Sequence, residues 1–123
     1  MNYPSLIPLS LALTIAIFVP TSNLITSSIQ GLKQRLVNAT ILFDSTNLGD
    51  KAYEPSQIEI PVWGNVSWTN DDRIAHSVTA IEGEFDSGIM RPDEVFKYTF
   101  DKVGGFDYYC MLHPSMIGRV VVH

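Results

Sequence analysis

Residue types that often carry chemistry are scarce in this chain of 123 residues. It has one cysteine and three histidines, and its 8 Lys and Arg are outnumbered by 13 Asp and Glu. A single cysteine excludes an intrachain disulfide. A net charge of −5, with no basic stripe and no glycine-rich phosphate loop, argues against nucleic acid as a partner.

The apolar run near the N-terminus is short. Residues 6–19 are interrupted by Pro8, Ser10 and Thr14, and the run ends at Pro20. A membrane-spanning helix needs roughly 20 apolar residues, whereas this length matches the apolar region of a signal peptide. We expect residues 1–20 to be an export signal or an uncleaved membrane anchor, with a buried segment as the third alternative. The first two place the domain outside the cytoplasm, in the periplasm or on the outer face of the cell membrane.

The rest of the chain divides at residue 36. Residues 21–35 are polar and rich in Ser and Thr, and we interpret them as a linker, with a short helix near residues 28–36 as an alternative. From residue 36 to residue 123 the apolar residues alternate with a period of two, which is typical of half-buried strands. About seven short strands separated by turn signals predict an all-β sandwich. The predicted strands are residues 36–43, 58–62, 66–70, 75–81, 95–100, 106–110 and 118–122.

One loop concentrates the side chains that bind soft metals. Cys110, His113 and Met116 follow one another as Cys-x2-His-x2-Met between two predicted strands, and Gly118 is expected to let this loop turn. Thiolate, imidazole and thioether ligands suit copper, and such a site takes two histidines, one cysteine and a weak axial methionine. The second histidine must come from His76 or from the C-terminal His123. Of these, His76 is preferred, because the last residue of a chain is usually a solvated end.

Each of these residues also has an ordinary structural interpretation. Cys110 can be a buried thiol and Met116 a core filler, and His76 can be a histidine whose hydrogen bonds are satisfied within a strand. Zinc is possible by ligand type, but an axial thioether favours copper. A lone free thiol is a liability in an oxidising compartment, and this favours a metal ligand at Cys110.

The motifs together resemble the blue copper cupredoxins. The resemblance rests on Trp68-Thr69-Asn70, on His76-Ser77-Val78 and on residues 107–122 with the Cys-x2-His-x2-Met spacing. It covers residues 36–123, and the short gap before Met116 is most similar to that of the amicyanin group. It implies a Greek-key cupredoxin-like sandwich, one Cu(I)/Cu(II) ion held by His76, Cys110, His113 and Met116, and one-electron transfer between redox protein partners.

The resemblance also implies the surroundings of the metal. Asn70 and Ser77 are expected to support the ligands from behind. Many members of the family have Asn directly after the first histidine, and Ser77 is expected to brace the ligand loop less. An apolar docking patch is expected around the second histidine, and Tyr109 is a candidate for a second electron path toward an acidic area. The patch is expected to contain Met111, Leu112, Pro114 and Ile117, and the candidates for the acidic area are Asp71, Asp72, Glu82, Glu84 and Asp86.

The small numbers of histidines and cysteines exclude some competing functions. Multicopper oxidases need more than three histidines, and a dinuclear copper electron-entry site needs two cysteines. A mononuclear copper enzyme acting on a small molecule remains an alternative if the axial position opens, and so does a copper-delivery protein, although Met1, Met90 and Met111 form no cluster in the sequence. The prediction is an electron carrier and not an enzyme, a monomer, with contact to a membrane only through its N-terminal segment.

Overall fold

The computed structural model describes residues 21–123, and of residues 30–34 it describes the backbone only. The predicted export signal or anchor at residues 1–20 lies outside the described residues. The described part begins with helix α1, Thr21–Gln34, where the sequence predicts a linker with at most a shorter helix. No helix within residues 21–123 is both long and apolar enough to cross a membrane.

Eight strands follow the helix. They are β1 (Leu36–Ile41), β2 (Tyr53–Glu54), β3 (Gln57–Ile60), β4 (Gly64–Asn70), β5 (Thr79–Ala80), β6 (Val95–Phe100), β7 (Gly104–Tyr109) and β8 (Ile117–Val122). Two single-turn 3₁₀ helices, Ser45–Asn47 and Gly49–Lys51, lie between β1 and β2. The prediction of an all-β chain is therefore corrected to a mostly β chain with one short α-helix.

The strands form two four-stranded sheets. One has the order β2-β1-β4-β6 and the other the order β3-β8-β7-β5. Each sheet contains one parallel pair, β1 with β4 and β3 with β8, and the remaining pairs are antiparallel. Chain neighbours such as β4 and β5 belong to different sheets, so the connections repeatedly pass from one sheet to the other.

The core fills the space between the two sheets. Alternate residues of each strand point inward, as in β8, where Val120 and Val122 are buried and Arg119 is exposed. Trp68 on one sheet donates its indole N–H to the hydroxyl of Tyr108 on the other, at 3.2 Å, and both side chains are fully buried. This bond satisfies two polar groups that burial would otherwise leave unpaired.

Two predicted strands differ from those observed. Only Thr79 and Ala80 of residues 75–81 form a strand, while His76 makes a single bridge with Met90. The first strand ends at Ile41, and Phe43 is exposed beneath the guanidinium of Arg73. After Ile41 and before Thr79 the chain therefore runs outside the sheets. These two segments lie at one end of the sandwich, where β4 and β7 end and β8 begins.

Candidate metal centre

The loop between β7 and β8 is closed by its own backbone. The N–H of Cys110 donates to the carbonyl of Met116 at 3.1 Å, that of His113 to Cys110 at 3.2 Å, and that of Met116 to His113 at 2.9 Å. These bonds fold residues 110–116 into a compact turn. They fix the backbone positions of the three side chains that the sequence singled out.

His76 approaches this loop from the opposite side. Its N–H donates to the carbonyl of Met90 at 3.0 Å, and the N–H of Met90 donates back at 2.8 Å. Asn70, at the end of β4, stabilises the segment that precedes His76. Its amide donates to the carbonyls of Ile74 and Met90, and its oxygen accepts from the N–H of Asp72. Two segments distant in sequence therefore meet at this end of the sandwich.

Three donor atoms converge between them. The sulfur of Cys110 lies 3.7 Å from Nδ1 of His76 and 3.7 Å from Nδ1 of His113, and the two Nδ1 atoms are 3.2 Å apart. His76, Cys110 and His113 form a group with metal-ligand character in the described part of the chain. The structure thus brings together three of the four side chains that the sequence analysis named as ligands.

These separations fit a bound metal ion. First-row metals bind nitrogen and thiolate sulfur at about 2.0–2.3 Å. Three such donors in a trigonal plane lie about 3.5–4.0 Å from one another by the same bond lengths. The observed separations lie close to that range, so small movements suffice for binding. A His₂Cys trigonal set is the arrangement of blue copper sites.

Met116 ends the same loop. Its side chain is fully buried, and its sulfur is 3.7 Å from the hydroxyl oxygen of Ser45 in the first 3₁₀ helix. The hydroxyl of Ser45 is also 3.0 Å from Nε2 of His76. Ser45 therefore touches both the thioether and the buried imidazole.

Ser77 joins the two segments of the site. Its N–H donates to the sulfur of Cys110 at 3.3 Å, and its hydroxyl accepts from the N–H of Met111 at 2.8 Å. A second bond links its hydroxyl to that of Thr79 at 2.9 Å. The short side chain thus reaches the ligand loop directly, through a hydrogen bond of ordinary length.

Asp72 is buried, although the sequence analysis placed it among candidates for an exposed acidic area. It is only 6% exposed, and its carboxylate lies 2.7 Å from Nε2 of His76. That assignment was wrong, because the turn after Asn70 directs this side chain inward. Burial alone raises the pKa of Asp72. Hydrogen bonds from His76, from the N–H groups of Arg73 and Asp44 and from Ser45 outweigh it and hold this pKa well below its usual range.

Only one of the two imidazoles approaches the surface. His76 is fully buried, whereas His113 is half-buried. Met111, Leu112 and Ile117 are 45–46% exposed, and Pro114 is exposed as well. We call these four residues the apolar patch. Tyr109, at the end of β7, is half-buried.

His123 is not part of the site. It follows β8, and its backbone bonds to Ile60 and Val62. It therefore lies at the strand end opposite to Ile117, which pairs with Tyr109 beside Cys110. This removes the competing histidine that the sequence left open.

Sequence reasoning missed two residues that contact His76. Ser45 lies between the first two predicted strands and was not singled out, and Asp72 was a candidate for the acidic area only. The one available signal was the spacing of Asp72 four residues before His76. A carboxylate behind a ligating histidine is a common second contact in metal sites.

A two-sheet sandwich with a His–Cys–His group at one end is the arrangement of the cupredoxins, which are copper proteins. The model of the family described as copper binding proteins, plastocyanin/azurin family, matches residues 40–123. The chain belongs to this plastocyanin/azurin family of copper-binding proteins. It is a copper-binding electron carrier and not an enzyme.

Individual relatives agree with the family. The chain is 24% identical to amicyanin-alpha of Methylorubrum extorquens over 119 residues, covering 93% of this chain and 97% of that one. It is 31% identical to amicyanin of Paracoccus denitrificans over 75 residues, which is 57% of each chain. Among solved structures, a purple cupredoxin from Nitrosopumilus maritimus is similar, with a TM-score of 0.64 and 30% identity, covering 71% of this chain and 99% of that one.

Proposed function

We propose that His76, Cys110, His113 and Met116 hold one copper ion and that the chain carries single electrons between redox proteins outside the cytoplasm. The observation that carries this proposal is the convergence of one thiol sulfur and two Nδ1 atoms at 3.2–3.7 Å. A copper ion bound there supplies the one-electron Cu(II)/Cu(I) couple.

The axial role of Met116 is supported by its surroundings. The thioether is fully buried and contacts the hydroxyl of Ser45, and the same hydroxyl contacts Nε2 of His76. A weak axial thioether completes a His₂Cys set in blue copper sites and tunes the potential. With four ligands from the protein, no position is left for a small-molecule substrate, unlike a catalytic metal site.

The chain itself prepares the site for electron transfer. Its rigid supports are the closed turn of residues 110–116 and the bonds from Ser77 and Asn70. Ligands held by packing and hydrogen bonds keep one geometry before and after the metal changes charge. The N–H of Ser77 also donates to the sulfur of Cys110, and hydrogen bonding at this sulfur tunes the potential of such sites.

Ultraviolet–visible and electron paramagnetic resonance spectra of the copper-loaded, oxidised protein test the ligand set. We expect an intense visible band from thiolate-to-copper charge transfer. Cys110→Ser should abolish that band, and His76→Ala should abolish or strongly shift it. His123→Ala is the matched control and should leave it unchanged. A band that survives Cys110→Ser would overturn the proposal.

The apolar patch around His113 is the proposed docking surface for redox partners. It surrounds the half-buried imidazole, and an exposed apolar cluster of this kind marks an interaction site. Electron self-exchange between oxidised and reduced copies, measured by NMR line broadening, tests this without a known partner. Leu112→Glu should slow the exchange. Val103→Glu is the control, since Val103 is 69% exposed near the opposite end, and equal effects of the two variants would contradict the patch.

We propose the periplasm or the outer face of the cell membrane as the location of the domain. The apolar residues 6–19 support export, and retention of residues 1–20 would anchor the domain to the membrane. Intact mass measurement of the mature chain, together with fractionation, distinguishes the two fates. A full-length chain in the cytoplasm would overturn the proposed location.

A further inference from the structure

The carboxylate of Asp72 occupies the side of His76 that faces away from Cys110. Its Oδ2 is 2.7 Å from Nε2 of His76, and neither side chain is more than 5% exposed. The other ring nitrogen of His76, Nδ1, faces the sulfur of Cys110 and Nδ1 of His113. The imidazole of His76 therefore lies between two sets of atoms. On one side are the sulfur of Cys110 and Nδ1 of His113, and on the other is the buried carboxylate of Asp72.

The partners of Asp72 show that it is an acceptor on both oxygens. Oδ1 accepts from the N–H of Asp44 at 3.1 Å and from that of Arg73 at 2.7 Å. Oδ2 accepts from the N–H of Ser45 at 3.3 Å. A backbone N–H can only donate, so these bonds favour the ionised carboxylate.

An ionised carboxylate fixes the proton on His76. A neutral imidazole carries one N–H, and the nitrogen that is bonded to an acceptor carries it. The proton of His76 therefore lies on Nε2 and points to Asp72. Nδ1 is left with its lone pair directed toward Cys110 and His113, as metal binding requires.

Asp72 also determines what the hydroxyl of Ser45 does. This hydroxyl has one hydrogen and three neighbours, which are Oδ2 of Asp72 at 3.1 Å, Nε2 of His76 at 3.0 Å and the sulfur of Met116 at 3.7 Å. A carboxylate is a much stronger acceptor than a thioether, and Nε2 is itself a donor here. The hydrogen therefore goes to Asp72, and the sulfur lone pairs of Met116 stay free.

We propose that Asp72 is a positioning residue of the copper centre, which orients His76 with its proton on Nε2 and lowers the reduction potential. The inference rests on the proposed ligand set. A buried negative charge one imidazole away from the metal raises the basicity of the ligand and favours the more positive ion, Cu(II), over Cu(I). A neutral residue at position 72 removes both effects.

The test is the reduction potential of Asp72→Asn, measured by redox titration of the visible band. Replacing such a contact typically costs about 10–100-fold in metal affinity. We expect the Cu(II)-to-Cu(I) affinity ratio to fall by about tenfold or more, which raises the potential by about 59 mV per tenfold for a one-electron couple. Asp71→Asn is the matched control, because it removes an equal charge from the neighbouring exposed residue. Equal potentials in the two variants would overturn the proposal.

A second variant separates the carboxylate from the hydroxyl. Ser45→Ala leaves the contact between Asp72 and His76 in place, so its potential should shift less than that of Asp72→Asn. A shift as large as, or larger than, that of Asp72→Asn would assign the effect to Ser45 and refute the role of Asp72.

NMR of the unmodified protein tests the same proposal and does not depend on whether a variant folds. In the diamagnetic Cu(I) form, the Nε2–H of His76 should exchange slowly with water and resonate downfield of the Nε2–H of His113. Equally fast exchange of the two protons would overturn the proposal. Failure of the proposed function is distinguishable, because the unmodified protein would then lack the visible band altogether.

Discussion

Adding a single methyl group at Gly118 should destabilise the protein strongly. Gly118 is the second residue of β8 and pairs with Tyr108 of β7. A Cβ at this position would lie 2.5 Å from the hydroxyl oxygen of Tyr108 and 2.6 Å from its Cε2. The sequence analysis expected Gly118 to let the loop turn, but the residue lies within a strand, and its lack of a side chain makes room for this ring.

The ring of Tyr108 is enclosed by other side chains. It is fully buried and packs edge-on against Trp68 and Tyr53, with centroid distances of 5.5 and 4.9 Å. Overpacking of a filled core costs about 1–3 kcal/mol. Displacing the hydroxyl also weakens its bond with the indole of Trp68, which is worth about 1 kcal/mol.

We therefore expect Gly118→Ala to lower the free energy of unfolding by about 2–4 kcal/mol. In a domain of this size each kcal/mol lowers Tm by about 4–8 °C, so Tm should fall by at least about 8 °C. Thermal unfolding of the metal-free protein, followed by circular dichroism, measures this change.

Gly105→Ala is the matched control. A Cβ at Gly105 of β7 would also collide with a side chain, the guanidinium of Arg119, but that group is exposed and can move away. The cost is then the ion pair of Arg119 with Asp107, and exposed pairs contribute about 1 kcal/mol or less. If Gly118→Ala destabilised the protein no more than Gly105→Ala, the reasoning about Tyr108 would be refuted.

Two further predictions concern the axial thioether and the buried phenols. Met116→Leu should keep the visible band and raise the potential, since it removes a weak ligand without changing the charge. Substitution of the exposed residue, Met111→Leu, is the control and should change neither the band nor the potential. Loss of copper from Met116→Leu would instead assign a structural role to the thioether. Burial raises the pKa of Tyr108 from its ordinary value of 10.0 to about 12, and it also raises the pKa of Tyr53. The unfolded chain therefore loses these protons first, and stability should fall as the pH rises above 10. Urea unfolding at increasing pH, with the absorbance of tyrosinate as a monitor, should show both changes together; ionisation of both phenols at their ordinary pKa in the folded protein would contradict the burial argument.

Local pattern was sufficient for the strands that pair over their whole length. The predicted strand at residues 95–100 coincides with β6, because its alternation is bounded by turn residues on both sides. Residues 75–81 also alternate, yet only Thr79 and Ala80 form a strand. His76 and Ser77 contact Cys110 instead. The two residues of β2 carry no pattern, and they pair with β1 only after the 3₁₀ helices have reversed the chain.

The metal site divides in the same way. Cys110 and His113 could be grouped from the sequence because one loop holds them, and the scarcity of histidine pointed to His76; Met116 stays a prediction. Ser45 and Asp72 were not predictable, since the fold brings them to His76 from segments that read as solvated turns. Long-range packing decides whether a charged residue such as Asp72 faces water or a ligand.

The closed turn of residues 110–116 has a consequence for how such proteins diversify. Three of its backbone N–H groups, those of Cys110, His113 and Met116, bond to carbonyls of the same turn, so much of its conformation is set locally. Insertions or deletions inside this turn can change which donors reach the ion while both sheets keep their pairing. Exchanging the turn between homologous chains should therefore change the visible spectrum, while His76, Ser77 and Asp72 of the scaffold keep their own influence on the potential.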